Sequence, residues 1–292
     1  MNLFVFGPSY SARRYIELHH GGFETAVATA RSDDKAAALE AINIQPLRLD
    51  SPGATARLRE QLSRSTHVII SAAPDANGDP ALREHGEAFA ALPKQARIAY
   101  LSTVGVYGDH DGAWVDETTP CKPVSARSQA RLAAEDAWRD FATRQGINLH
   151  ILRLAGIYGP GRSAIDNLRS GTARRIVKPG QVFNRIHVDD IAGAIAACFR
   201  TGLRQALRTG SHVWNVADDE PSPPQDVVDH AARLLGLEPP PEIDFASAQL
   251  SPMARSFYGE NKRVSNRAMK DILGVRLKFP DYRAGLKALA GE

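Results

Sequence analysis

The sequence predicts an α/β protein, a doubly wound parallel sheet with a smaller C-terminal lobe, on three observations. Over the first two-thirds of the chain, short apolar runs alternate with longer segments of helical pattern. The first apolar run passes straight into a glycine turn and then a helical segment. After Tyr158-Gly159-Pro160-Gly161 the alternation weakens and proline becomes frequent. Strand–helix alternation implies parallel strands, because each parallel connection needs a crossover that packs on the sheet. Such sheets bind ligands beyond the carboxyl ends of their strands, near the point where strand order reverses.

Taken in order, strands are predicted at residues 3–6, 24–30, 45–49, 67–72, 97–102 and 148–154, and again at 186–188 and 213–216. Helices are predicted between them at 11–20, 33–41, 54–62, 81–92, 125–145 and 189–200, with Gly21-Gly22 stopping the first. The remainder carries a helix over 224–235, a polar loop near 251–265 and a final helix. The expected division is 1–160 with 183–218 for the sheet domain, and 161–182 with 219–292 for the lobe, which would form the other wall of a site.

Composition narrows the classes. Of 292 residues, 43% are hydrophobic and 24% charged, which excludes a disordered or fibrous chain. A net charge of +3 without a basic block argues against a nucleic-acid partner. Cys121 and Cys198 stand in no metal-ligand spacing, so no metal is expected and a reducing, cytoplasmic setting fits. The opening Met1-Asn2-Leu3-Phe4-Val5-Phe6 has no basic region before it and is too short for a signal peptide. The longest apolar stretches, 68–74 and 191–199, are too short to span a bilayer. A small-molecule partner, no membrane, and a monomer or homodimer are expected.

The turn after the first strand reads Gly7-Pro8-Ser9-Tyr10-Ser11-Ala12. Strand, tight turn and helix N-terminus is the context of a dinucleotide phosphate loop. The glycine pattern is degraded: Ser9 takes the second glycine position and Ala12 the third, where alanine is tolerated. A plain strand–helix turn with Ser9 as N-cap is the alternative. The second strand ends at Ala30-Arg31-Ser32. An acidic residue there suits the ribose of NAD, whereas an arginine suits the extra phosphate of NADP. Arg31 with Ser32 therefore favours NADP over NAD; a solvated surface arginine is the alternative. Ala72-Ala73-Pro74 closes the fourth strand with side chains small enough for an adenosine to lie against, and Asp50 ends the third strand as a candidate adenine acceptor.

Downstream segments resemble the extended short-chain dehydrogenases/reductases, the group of nucleotide-sugar epimerases and dehydratases, and more closely their atypical subgroups. The matches come in order: Tyr100-Leu101-Ser102-Thr103-Val104-Gly105-Val106-Tyr107-Gly108-Asp109; Glu117 with the loop 120–123; Leu132-Ala133-Ala134-Glu135; Arg153 with Ile157-Tyr158-Gly159-Pro160-Gly161; Arg185-Ile186-His187-Val188-Asp189-Asp190-Ile191-Ala192; and Asn215-Val216-Ala217-Asp218. The resemblance covers roughly residues 1–220. It implies an NAD(P)-binding Rossmann fold and a Ser/Thr–Tyr–Lys site in which the tyrosine exchanges a proton with the substrate oxygen. Thr103 fits the Ser/Thr position. Arg127 and Arg131 stand at the tyrosine and lysine positions, four residues apart on one helix face. Arginine stays protonated, so it is no ordinary proton shuttle. Arg131 could still hold the cofactor ribose, and Arg127 could bind an anion or stabilise an oxyanion; a solvated face is the alternative for both. The resemblance also implies that Gly156 and Ile157 lie along the cofactor.

His110 is the most attractive substitute proton carrier, with Tyr107, which packing explains as well, and bound water as further candidates; a solvated loop histidine is the alternative. Arg255, Tyr258, Lys262 and Arg263 in the C-terminal loop suggest an anionic substrate, although a solvated polar loop would look the same. The expected function is an NADP(H)-binding oxidoreductase or epimerase/dehydratase-like protein of the atypical type acting on a small anionic substrate. The alternative is a catalytically degenerate NADP(H) sensor or scaffold.

Overall fold

The computed structural model describes residues 1–200, 207 and 209–291. In chain order its main elements begin with β1 (Asn2–Phe6), α1 (Tyr10–His19), β2 (Thr25–Ala30), α2 (Asp33–Glu40), β3 (Gln45–Arg48) and α3 (Ala54–Arg64). There follow β4 (His67–Ile70), α4 (Pro80–Phe89), β5 (Arg97–Thr103), β6 (Trp114–Val115), α5 (Ala126–Gln145), β7 (Asn148–Leu154) and β8 (Gly156–Tyr158). Next come α6 (Ala164–Arg169), β9 (Arg175–Val177), β10 (Arg185–His187), α7 (Val188–Phe199), β11 (Ser211–Val216) and α8 (Pro224–Leu234). The chain closes with β12 (Glu242–Asp244), α9 (Pro252–Phe257), β13 (Arg263–Val264), α10 (Arg267–Asp271) and α11 (Tyr282–Ala290).

Seven strands form one sheet in the order β11-β7-β5-β4-β1-β2-β3. The pairs β3–β2, β2–β1, β1–β4 and β4–β5 are parallel, with Leu3 opposite Ala26 on one side and His67 on the other. Strand order therefore reverses at β1, which places the ligand crevice of a doubly wound sheet at its carboxyl end. This is the Rossmann-type α/β architecture that the alternation predicts. Three two-stranded pieces, β10–β8, β12–β9 and β13–β6, are also parallel.

By internal contact the chain divides into two compact units. Unit 1 comprises 1–103, 126–153 and 192–214; unit 2 comprises 104–125, 154–191 and 215–292. Residues 104–125, 154–160, 183–191 and 215–218, assigned by pattern to the sheet domain, fall in unit 2.

The core of unit 1 follows from the apolar strands. Phe4, Val68, Ile70, Ile98 and Tyr100 are fully buried and meet Leu58 and Leu62 of α3, Phe89 of α4 and Trp138 of α5. The aromatic rings stack edge to face, Phe89 against Trp138 at 5.4 Å and Phe4 at 6.4 Å. Unit 2 has two smaller cores: Ile165, Val227, Ala231, Tyr282 and Leu286 in one, and Ile176, Ala248 and Tyr258 in the other. Helix starts obey capping rules. Ser9 caps α1; Asp79 caps α4, with Pro80 as its first residue; Asp281 caps α11, which ends on the left-handed Gly291. The stretch near 251–265, predicted as loop, contains α9 and β13.

Candidate cofactor site

The turn after β1 is fixed from three strands. Gly7 has φ +70°, a conformation open to glycine, and a Cβ there would lie 2.8 Å from the Ala72 Cβ. The Gly7 amide donates to the Thr29 hydroxyl at 2.8 Å, and the Ser71 hydroxyl donates to the Gly7 carbonyl at 2.7 Å. The Ser9 amide donates to Ser71 Oγ at 3.1 Å, and Ser9 Oγ accepts weakly from the Ala12 amide at 3.5 Å. Ser9 is therefore the N-cap of α1, while Ser11 and Ala12 are buried and Tyr10 is half-buried. Thr29 and Ser71 escaped the sequence reading. Their signal was present: each is a hydroxyl residue within or just after an otherwise apolar strand.

The carboxyl end of β2 carries the charge. Arg31 is exposed and makes no hydrogen bond or ion pair within the described residues; Ser32 caps α2. Arg48, at the end of β3, binds Asp33 through one nitrogen and clasps Asp50 at 2.6 and 3.0 Å. Arg48 lowers the Asp50 pKa below the ordinary carboxylate value. Asp33 and Asp50 are thus held by one arginine, while Asp34 is exposed and Arg31 has no hydrogen bond or ion pair among the described residues. Asp50 stands as an ion-pair partner, committed away from its expected acceptor role.

Thr103 is the last residue of β5, half-buried. Arg131, on the second turn of α5, donates through Nη1 to the Leu101 carbonyl at 3.0 Å, the Tyr100 hydroxyl at 3.1 Å and the Ala72 carbonyl at 3.4 Å. Its guanidinium lies 5.6 Å from the centre of the Tyr100 ring. One nitrogen therefore tethers Arg131 to the ends of β4 and β5 beside Ala72, while Ala73 is exposed and Pro74 half-buried. Arg127 is exposed one turn earlier, without a hydrogen bond or ion pair within the described residues. The first turn of α5 has no acidic residue. Two arginines at the positive end of a helix dipole repel that dipole and favour an anion nearby.

Unit 2 holds the other candidates. Tyr107 is fully buried and its hydroxyl donates to Asn215 Oδ1 at 2.7 Å, while Glu117 accepts from the Asn215 amide at 2.7 Å. Tyr107 is thereby a packing residue, which settles the choice left open by its position. His110 Nε2 lies 3.1 Å from the Tyr107 carbonyl. A carbonyl only accepts, so Nε2 carries the proton and Nδ1 is left as the basic nitrogen of the neutral ring. Gly156 is exposed and Ile157 half-buried on β8, paired with Arg185 and Ile186. Arg255 donates to the Ala248 carbonyl at 2.9 Å and stacks on Phe245; Tyr258 is buried. Lys262 is buried, with its ammonium 2.6 Å from both Glu260 and the Gly108 carbonyl; Arg263 donates to the Gly112 carbonyl. The cluster expected to meet an anionic substrate is thus largely engaged with the protein's own groups.

A glycine-turned, hydroxyl-braced helix start on a doubly wound parallel sheet defines a Rossmann-type α/β protein. The family follows from sequence: residues 17–217 match the model of the NAD dependent epimerase/dehydratase family, and the chain belongs to that family. It is 48% identical to a structure described as a functionally unknown conserved protein from Silicibacter pomeroyi DSS, with TM-score 0.86 over 99% of this chain and 98% of that one. It is 32% identical over 185 residues to Protein YeeZ of Escherichia coli (strain K12), which is 63% of this chain and spans 59% of YeeZ. It is 28% identical over 276 residues to the 3-diazoavenalumate denitrifying reductase of a Streptomyces species, covering 90% of this chain and 81% of the reductase. The UDP-glucuronic acid 4-epimerase of Bacillus cereus, solved in complex with NAD, shares the fold at TM-score 0.77 and 17% identity, over 100% of this chain and 96% of that one. No described helix is long and apolar enough to cross a membrane.

Proposed function

We propose that the chain is a cytoplasmic NADP(H)-dependent oxidoreductase or epimerase/dehydratase-like enzyme acting on a small anionic substrate. The observation that carries this reading is the end of β2, where Arg31 is unpartnered and the neighbouring acids Asp33 and Asp50 are both held by Arg48. A planar guanidinium suits the extra phosphate of NADP; of the acids nearby, Asp33 and Asp50 are engaged by Arg48, while Asp34 is exposed. The turn at Gly7 and the start of α1 fit a pyrophosphate, since the N-terminal end of a helix dipole favours negative charge. The reductase and the NAD-bound epimerase among the similar proteins support a nicotinamide reading.

When bound, the nicotinamide supplies or accepts hydride. Thr103 presents its hydroxyl to the substrate oxygen. Arg131, anchored by Nη1, offers its remaining donors to the cofactor ribose and lends positive charge. Arg127 binds an anionic group. His110 carries the proton at Nδ1, the nitrogen that its hydrogen bond to Tyr107 leaves basic.

The test is hydride transfer followed by NADPH absorbance across a panel of carbonyl-bearing carboxylates and sugar nucleotides. Turnover that falls at least a hundredfold in Thr103→Ala supports the enzyme. A second reading, a cofactor-binding sensor, is favoured by the arginines at the tyrosine and lysine positions. It prevails if wild type binds NADPH, turns nothing over, and Thr103→Ala binds NADPH equally well.

A further inference from the structure

Unit 2 contains a cation that forms no salt bridge among the described residues. Arg185 lies on β10 next to Ile186, which is fully buried, so the arginine turns to the opposite face. Its Nη1 donates to the Phe183 carbonyl at 3.0 Å, the Ser222 carbonyl at 3.2 Å and the Ser222 hydroxyl at 2.8 Å. All three acceptors are neutral, and all bind one nitrogen. Among the described residues Arg185 forms no salt bridge, and its Nε and Nη2 make no hydrogen bond. Burial lowers its pKa, the mark of a desolvated charge.

The neighbouring acid, Asp218, acts on it through charge and makes no side-chain hydrogen bond to it. The Asp218 amide donates to the Arg185 carbonyl at 2.7 Å, which holds the two residues together. Asp218 is 2% exposed; Oδ1 accepts from the Glu220 amide at 3.2 Å, and Oδ2 has no partner. Burial pushes its pKa up to about 8. At neutral pH the carboxyl is therefore mostly protonated, a donor without an acceptor beside a cation without an anion. A buried oxygen without a partner is costly and asks for one, and the half-buried Arg185 beside it has donors to spare. An oxyanion satisfies both, accepting from the free Arg185 nitrogens and from the Asp218 hydroxyl.

The loop cations first suggested for this task are less suited to it. Lys262 already has Glu260 at 2.6 Å, and Arg255 and Arg263 bind backbone carbonyls. We infer that Arg185, with Asp218 beside it, forms an oxyanion-binding subsite within unit 2 that takes the carboxylate or phosphate of the substrate. The inference rests on the reading of the substrate as anionic, and gives that anion its residues.

The full-length protein is titrated with inorganic phosphate and, separately, with acetate, each against chloride at equal ionic strength, with thermal stability as the readout. Wild type should show saturable stabilisation by at least one, and the stronger response tells phosphate from carboxylate. Arg185→Gln should weaken that response at least tenfold. Asp218→Asn should keep it within about threefold, because an amide also donates to an anion. Should Arg185→Gln not fold, Arg185→Lys replaces it and should bind several-fold more weakly, since it loses the planar fork. Equal responses in wild type and the Arg185 variant, or none in wild type, overturn the inference. NADPH titration of the same preparations keeps the two readings apart. Loss of anion binding with NADPH binding intact in Arg185→Gln places the defect in this subsite, whereas a wild type that fails to bind NADPH removes the cofactor reading alone.

Discussion

The interior of β5, α5 and β7 and the end of β2 use the same residue type in opposite ways. Inside, Glu135 is fully buried and accepts from Ser102 at 2.5 Å, from Arg153 Nη2 at 2.8 Å and Nε at 3.1 Å, and from Arg139 at 3.0 Å. Every charge there has its counter-charge, so the network joins one helix to two strands. At the end of β2, Arg31 makes no hydrogen bond or ion pair among the described residues, although Asp33, which Arg48 holds, lies two residues on. An arginine with its donors filled belongs to the framework; one left empty beside a helix N-terminus points to a ligand.

The largest effect should come from breaking the filled network. Glu135→Leu removes the carboxylate to which the buried Arg153 donates through two nitrogens and should cost about 3–5 kcal/mol in denaturant unfolding. Adding Arg153→Met should recover most of that loss, because replacing a whole buried pair by apolar groups is often close to neutral. A double variant no better than the single one would contradict the pairing.

A buried carboxyl sharpens the contrast through pH. Asp218 titrates near 8 when folded, against an ordinary 3.8. Between those values the folded chain keeps a proton that the unfolded chain has released. Its contribution to stability therefore falls as pH rises, by up to about 1.4 kcal/mol per unit. Unfolding of wild type and Asp218→Asn, compared from pH 4 to 8, should show the fall in wild type and a flatter profile in the variant. Parallel profiles would show that Asp218 ionises normally.

Gly7→Ala should be smaller, about 2 kcal/mol, since the new Cβ meets Ala72 and the backbone stays at positive φ. Because the same change reshapes the turn, NADPH affinity should fall along with stability. Unchanged affinity in a folded variant would separate the turn from the cofactor.

How much of this was legible in the sequence depends on where each signal lies. The sheet was readable because strands such as β1 and β5 are apolar runs long enough to distinguish from helices, and Gly21-Gly22 and Asp79-Pro80 mark boundaries locally. The strands β6, β8, β9, β12 and β13 are two or three residues long and carry no period; distant partners set them. The place of Arg31 at the end of a strand was legible because local pattern sets it. Arg48 was not, because holding Asp33 and Asp50 depends on the pairing of β2 with β3. Lys262 and Arg185 show the general difficulty. A lysine in a polar loop is buried with a counter-ion, and an arginine in a matched segment is left without one; only tertiary packing decides which.

The central claim is that Arg31 is kept free for the extra phosphate of NADP. Fluorescence titration of wild type and Arg31→Ala with NADPH and NADH tests it most directly. Wild type should bind NADPH more tightly than NADH, and the substitution should weaken NADPH about tenfold, some 1.4 kcal/mol, with little change for NADH. An equal loss for both coenzymes, or a wild type that prefers NADH, would contradict the account.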